Sequence, residues 1–190
     1  MINIKTRDLV FISLFTALTI VSSMLHFTLG PIPFSLQIVT VFIVAHLFSV
    51  KIAFWSQALY VVMGLLGLPI FASGGGLFYV MKPTFGFLIG FVVAALVMAI
   101  LKQKWTQRNF VTTFLINLAG TVIIYVFGCV YFYFIMNFVL HTPITASQTF
   151  SGIVLLSGPG DIILGAVSAV LILRLEKVMK GAGIREGLHH

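Results

Sequence analysis

Long apolar runs, separated by short clusters of charged residues or of proline and glycine, dominate the sequence. The runs do not alternate polar and apolar residues as membrane β-strands do, so each is expected to form a helix. A membrane-spanning helix needs about 20 apolar residues. The runs accordingly divide into six predicted spans, near residues 9–29, 35–50, 52–68, 83–101, 110–140 and 153–173. The pattern predicts an all-α integral membrane protein with one six-helix domain over residues 1–190.

The composition strengthens this prediction. Hydrophobic residues make up 60% of the chain and charged residues 8%, whereas a soluble domain has about 25% charged residues. The net charge of +7 does not indicate a nucleic-acid partner, because the basic residues flank the apolar runs. Basic residues at such positions set membrane topology and contact lipid headgroups.

The distribution of basic residues predicts the orientation. If the N-terminus is cytoplasmic, ten of the eleven lysines and arginines fall on the cytoplasmic side of the six predicted spans. These ten are Lys5, Arg7, Lys51, Lys102, Lys104, Arg108, Arg174, Lys177, Lys180 and Arg185. Only Lys82 falls outside. The positive-inside rule therefore favours six spans with both termini in the cytoplasm.

Residues 9–175 contain a single acidic residue, Asp161. A carboxylate inside a membrane costs about 2.5–3.5 kcal/mol on insertion scales, so such residues are usually functional. Asp161 precedes Arg174 by a distance of about 20 Å along a helix, which predicts a position in the outer half of the bilayer, on the same side as Lys82. The glycine-proline-glycine segment 158–160 predicts that a helix begins at Asp161, with free backbone N–H groups nearby.

These residues have alternative interpretations. Asp161 is either a ligand-binding carboxylate or a structural group in an ion pair or a capped, protonated state. Lys82 either extends to lipid headgroups, pairs with Asp161 in the empty site, or holds a substrate carboxylate. The glycine run 74–76, centred on Gly75, is either a flexible external loop or a gate over a pocket.

Other polar residues lie within apolar spans. Gln37, Asn117 and Tyr125 are each candidates for an interhelical hydrogen bond or for a position in the pocket. Ser13 and Ala17 form a small-xxx-small pair on the first span, which lets another helix approach closely.

Several chemistries lack their required groups. The chain contains no G-x-x-x-x-G-K-[ST] pattern for ATP and no histidine, cysteine or carboxylate spacing for a metal, and it offers no cofactor motif. Asp161 has no second acid for two-carboxylate catalysis, and Ser157 with His141 is only a nominal protease pair. We therefore expect no enzymatic activity, and an intramembrane enzyme is the least favoured interpretation.

Five segments, taken in order along the chain, resemble landmarks of one family. They are PIPFSLQ at 31–37, GLLGLPIF at 64–71, KPTFGFLIGF at 82–91, GTVIIYVFG at 120–128 and PGD at 159–161. Each segment alone is a weak signal, whereas the ordered set is specific. The chain resembles the BioY family, the biotin-binding S components of energy-coupling factor transporters.

The resemblance implies a six-helix S-component fold that captures biotin from outside the cell membrane of a prokaryote. It implies partners as well, namely a membrane coupling protein, contacted by Ser13 and Ala17, and two ABC-type ATPases that drive uptake. The chain departs from the family at two positions. Many members have a lysine where this chain has Leu164, and a glycine where it has Lys82, so the positive charge is expected to come from the fourth span instead.

Biotin suits the residues already singled out. Its ureido group offers two N–H donors to Asp161, its carboxylate suits Lys82, and its apolar rings suit surroundings rich in phenylalanine and tyrosine. Gln37, Asn117, Tyr125 and Gly75 are expected to complete the site. Two alternatives remain open, namely a solitary biotin carrier or facilitator and an S component for another vitamin.

Overall fold

The computed structural model describes residues 5–29, 32–105 and 109–181. Pro31, Arg108 and Arg185, which enter the sequence analysis, lie outside these ranges. The described elements are, in chain order, α1 (Thr6–Met24), β1 (His26–Leu29), β2 (Ile32–Ser35), α2 (Gln37–Leu47), α3 (Val50–Leu65), a 3-10 helix (Leu77–Met81), α4 (Phe85–Lys104), α5 (Phe110–Phe134), a π-helical turn (Ile135–Val139) and α6 (Ala146–Gly181). The predicted all-α class is confirmed, with one short hairpin added.

Three helices in the described part of the chain are long and apolar enough to cross a membrane. They are α1, α4 and the continuous helical segment Phe110–Val139. Helices α2 and α3 are apolar but shorter, and at about 1.5 Å per residue the 11 residues of α2 extend only about 17 Å. By length, the apolar helices therefore form two groups: those long enough to cross a membrane, and the shorter helices α2 and α3.

The connection after α1 is a hairpin. Helix α1 ends at Met24, five residues before the end of the first predicted span, and β1 pairs with β2 in antiparallel register from His26↔Ser35 to Leu29↔Ile32. Pro33 lies in β2 opposite Thr28. A proline has no backbone N–H to donate, and a strand at the edge of a two-stranded hairpin accepts it for that reason.

Helix α2 forms the centre of the molecule. It contacts each of the other five α-helices, and Val41, Phe42 and Val44 are completely buried. A helix that is hydrophobic all round is expected in such a position, because every face packs against a neighbour.

Helices α4 and α5 pack closely because glycines lie at their interface. A Cβ atom added to Gly90 would be 2.9 Å from the Ile124 Cα, and one added to Gly120 would meet the Met98 sulfur. Glycine lets helix backbones approach each other in this way. This packing fixes the position of α5, which contributes part of the candidate site.

The prediction that a helix begins at Asp161 is wrong. Helix α6 is continuous from Ala146 to Gly181, and Pro159 lies inside it. Gly158 carries no Cβ to clash with the proline ring, and neighbouring helices support a helix that lacks one backbone hydrogen bond. Asp161 therefore lies in the middle of a helix, and the free N–H groups of a helix start are not beside it.

Candidate functional site

Asp161 lies at the interface between α6 and α5. Its side chain is 9% exposed, and its Oδ2 atom accepts a 2.5 Å hydrogen bond from the Tyr125 hydroxyl. An ionised carboxylate has about four lone-pair sites, so this bond leaves acceptor capacity for a ligand. Of the groups chosen from the sequence, Asp161 and Tyr125 are the pair in direct contact.

Asn117 lies deeper in the same interface. It is completely buried, and its Nδ2 atom donates to the Gly165 carbonyl oxygen at 2.9 Å. Its Oδ1 atom has no hydrogen-bond partner among the described residues. Since buried polar atoms are almost always hydrogen-bonded, this oxygen is an acceptor that a ligand or water would satisfy.

The buried face of α6 carries two further hydroxyl groups. Ser157 precedes Asp161 by four residues and Ser168 follows it by seven, and both are buried on the face that also holds Gly165. Neither hydroxyl has a partner among the described residues. The sequence presents Ser157 as one member of a nominal protease pair, and its i, i+4 spacing from Asp161 is the signal for a shared helix face.

The nominal protease pair is not formed. His141 is exposed in the connection between α5 and α6, whereas Ser157 is buried in α6. The hydrogen bonds of the described residues do not join them. In the same ranges, no group of three or more histidine, cysteine or acidic residues could hold a metal ion.

Lys82 lies immediately after the 3-10 helix, and its side chain is exposed. Its Nζ atom donates to the Ser73 carbonyl oxygen at 2.7 Å and lies 4.9 Å from the centroid of the Tyr79 ring. The structure therefore does not pair Lys82 with Asp161, since each has a different partner. The ammonium group is held on the loop between α3 and α4.

The glycine run in this loop has a defined backbone. The Gly76 N–H donates to the Gly64 carbonyl oxygen at 2.7 Å, with Gly76 at a φ of 98° that favours glycine. A Cβ atom on Gly75 would overlap the Leu68 carbonyl oxygen. The loop therefore folds tightly against the end of α3 only because glycines occupy these positions.

Aromatic side chains connect the loop to the helices. Successive ring contacts, with centroids 4.5–6.5 Å apart, join Tyr60, Phe71, Tyr79, Phe85 and Tyr131. This series is buried except near Tyr131, and its members Phe71 and Tyr79 belong to the loop that holds Lys82.

Gln37 reaches the other end of this aromatic series. It is the first residue of α2, is 3% exposed and interacts through its side chain with the Tyr60 hydroxyl. Tyr60 also donates to the Ile70 carbonyl oxygen at 3.3 Å. Gln37 is thus close to the loop through Tyr60.

The Asp161 group and the loop lie at the same end of the helices. The Tyr131 hydroxyl donates to the Val80 carbonyl oxygen at 2.5 Å, which fixes that end of α5 against the 3-10 helix. Tyr125 is six residues earlier on α5, a rise of about 9 Å. Asp161, which Tyr125 contacts, therefore lies roughly 9 Å below the level of the loop along α5.

Two surface features are separate from this group. Ser13 and Ala17 are exposed on one face of α1. An open groove of about 280 Å³ follows the outer face of α5 and is lined by Val126, Phe127, Val130, Tyr131 and Phe134. Because this lining is almost entirely apolar and includes none of the predicted site residues, the groove resembles a lipid-facing surface rather than the polar site.

The chain is similar in sequence to proteins of one known family. A model of the BioY family matches residues 1–181. A probable biotin transporter BioY of Lysinibacillus sphaericus is 39% identical over 181 residues, covering 94% of this chain and 91% of the relative. The biotin transporter BioY of Thermotoga maritima is 36% identical over 174 residues, covering 90% and 97%.

A solved structure shares the fold. The crystal structure of the S component for biotin from an ECF-type ABC transporter superposes with a TM-score of 0.80 at 23% identity, covering 93% of this chain and 94% of that one. At this identity the similarity establishes the architecture, and the role of each side chain has to be argued from its own contacts.

Proposed function

The chain belongs to the BioY family, and from this premise we propose that it is the biotin-binding S component of an energy-coupling factor transporter. The observation that carries the proposal is Asp161, a single acid buried between α5 and α6 with acceptor capacity left beside Tyr125. A buried carboxylate that keeps free lone pairs suits a ligand with N–H donors. The ureido group of biotin provides two such donors.

The proposed binding mode divides biotin between two groups of residues. The ureido N–H groups donate to Asp161 and to the Oδ1 atom of Asn117, while Tyr125 orients the carboxylate. The valerate carboxylate binds Lys82, which exchanges its bond to the Ser73 carbonyl oxygen for a charged partner. A bond from the ammonium group to a carboxylate is stronger than the bond to an uncharged carbonyl oxygen that it replaces, because both partners are then charged.

The loop between α3 and α4 closes the site in this proposal. Gly75 allows the tight fold of the loop, and Gln37 supports it from below through Tyr60. Aromatic rings of the loop and of the adjoining helices provide the apolar surface that the bicycle and the alkyl chain of biotin require. Binding in this form requires no cofactor and no covalent step.

The membrane topology is part of the same proposal. Six spans with both termini in the cytoplasm would place the loop and Lys82 outside the plasma membrane of a prokaryote. The charge distribution supports this orientation, because ten of eleven basic residues then lie inside. Biotin would therefore enter the site from the external side.

Energy for uptake would come from partner proteins. We propose that the exposed face of α1 around Ser13 and Ala17 binds a membrane coupling protein, which is joined to two ABC-type ATPases. Small side chains on this face permit close approach of a partner helix. The S component itself would bind and reorient, and ATP hydrolysis would occur in the partners.

Uptake of radiolabelled biotin tests this function. A bacterial host lacking its own biotin importer would express the chain alone, with the coupling module, or with a module whose ATPases are inactive. Rapid accumulation only with the active module is expected. Equal accumulation by the chain alone would instead support the solitary carrier.

A bulky substitution tests the partner surface. Ala17→Trp is expected to abolish module-dependent uptake and to leave biotin binding by the purified protein unchanged. Leu18→Trp, at an exposed position about 100° around α1 from Ala17, is the matched control for the presence of a tryptophan and should retain uptake. Retained uptake by Ala17→Trp would contradict the proposed contact.

A further inference from the structure

The Ser157 hydroxyl is a buried polar group without a hydrogen-bond partner among the described residues. Ser157 is 6% exposed, and its Oγ atom makes no hydrogen bond there. It lies one helical turn from Asp161 on the same buried face of α6. We propose that Ser157 determines specificity by donating a hydrogen bond to the carbonyl oxygen of a cyclic urea ligand; this inference rests on the proposed function.

Other hydroxyl groups in the helices show how unusual this is. Six of these hydroxyl groups donate a hydrogen bond to the carbonyl oxygen four residues earlier in their own helix, at 2.7–3.1 Å. They belong to Thr16, Thr19, Thr113, Thr121, Thr149 and Ser151. Ser157 does not make this bond. Its donor is therefore uncommitted in a region where a buried unpaired polar group is costly.

The chemistry of the ligand requires such a donor. A urea presents two N–H groups and one carbonyl oxygen in a single plane, and an ionised carboxylate such as Asp161 can only accept. Of the nearby donors, the Tyr125 hydroxyl already donates to Asp161, and the Asn117 Nδ2 atom already uses one of its two hydrogens on the Gly165 carbonyl oxygen. Ser157 can therefore supply the hydrogen bond that the urea oxygen needs.

The spacing on α6 also fits a small planar group. Side chains four residues apart on a helix have Cβ atoms about 5–6 Å apart, a gap that a urea can bridge. Ser168 also has an uncommitted hydroxyl, but it lies about 10 Å further along α6 from Asp161. Ser157 is therefore close enough to Asp161 to share one urea ligand with it, whereas Ser168 is not, although both serines are buried.

The test compares Ser157→Ala with Ser168→Ala in the purified full-length protein by calorimetric titration. The ligands are biotin and its thiocarbonyl analogue, in which sulfur replaces the ureido oxygen and accepts hydrogen bonds weakly. Ser157→Ala should weaken biotin binding about three- to tenfold and change binding of the analogue by less than about twofold. Ser168→Ala should change neither affinity.

Three outcomes would overturn the inference. They are an unchanged biotin affinity in Ser157→Ala, an equal loss for both ligands, and an equal effect of Ser168→Ala. The proposed function fails separately, if the wild-type protein binds neither ligand. Thermal unfolding of the ligand-free variants checks folding, and Ser157→Thr, which keeps a hydroxyl, should retain the preference for oxygen over sulfur.

Discussion

Substitution of Asp161 by asparagine removes the charge while nearly preserving the shape of the side chain. One ligand N–H group on a buried carboxylate contributes about 1.5–3 kcal/mol, whereas a neutral hydrogen bond contributes about 0.5–1.5 kcal/mol. Asparagine keeps one oxygen, for which the Tyr125 hydroxyl and the ligand N–H group then compete, and its NH₂ group cannot accept the other donor. The expected loss is about 1.5–3 kcal/mol, or roughly 10- to 150-fold in affinity for biotin.

Equilibrium binding of labelled biotin to the protein in lipid nanodiscs measures this loss. Glu176→Gln is the matched control, because Glu176 is the other buried acid of α6 at 8% exposure and lies about 22 Å further along the helix. The control should bind biotin like the wild type. If Asp161→Asn changes the binding free energy by less than about 1 kcal/mol while the protein stays folded, Asp161 is not the ureido acceptor.

Three further substitutions test the surroundings of the site. Tyr125→Phe should weaken biotin binding about three- to tenfold, less than Asp161→Asn, because the hydroxyl only orients the carboxylate; a gain in affinity would show that it competes with the ligand. Lys82→Ala should reduce the affinity for biotin more than that for biotin amide, and equal losses would indicate a structural lysine. Gly75→Ala should lower the melting temperature, since its Cβ would overlap a backbone carbonyl oxygen, whereas Gly152→Ala meets no neighbour and should not; equal melting temperatures would contradict this reasoning.

The helical architecture could be predicted because burial in lipid demands long apolar runs, and these runs are explicit in the sequence. The hairpin and the helical position of Asp161 could not be predicted as readily. Pro33 and Pro159 both suggest an interruption of a helix; the helix has given way to a hairpin at Pro33, whereas α6 continues through Pro159. Tertiary packing decides between these outcomes, and local sequence does not reveal it.

The site was only partly predictable for a similar reason. The cost of an acid in an apolar segment singles out Asp161 without any structure, and an interhelical hydrogen bond was one of the expected roles of Tyr125. The uncommitted hydroxyl of Ser157 could not be foreseen, since most helical hydroxyls bond to their own helix. The bond from Lys82 to Ser73 also depends on the fold of a glycine-rich loop that sequence periodicity does not describe.

The central claim is that this chain captures biotin at a site built around Asp161. Mass spectrometry of the small molecule released from the purified wild-type protein, after growth in biotin-containing medium, tests it most directly. The account predicts release of unmodified biotin from the wild type and its loss from Asp161→Asn. Release of a different vitamin, or equal release of biotin from both proteins, would contradict it.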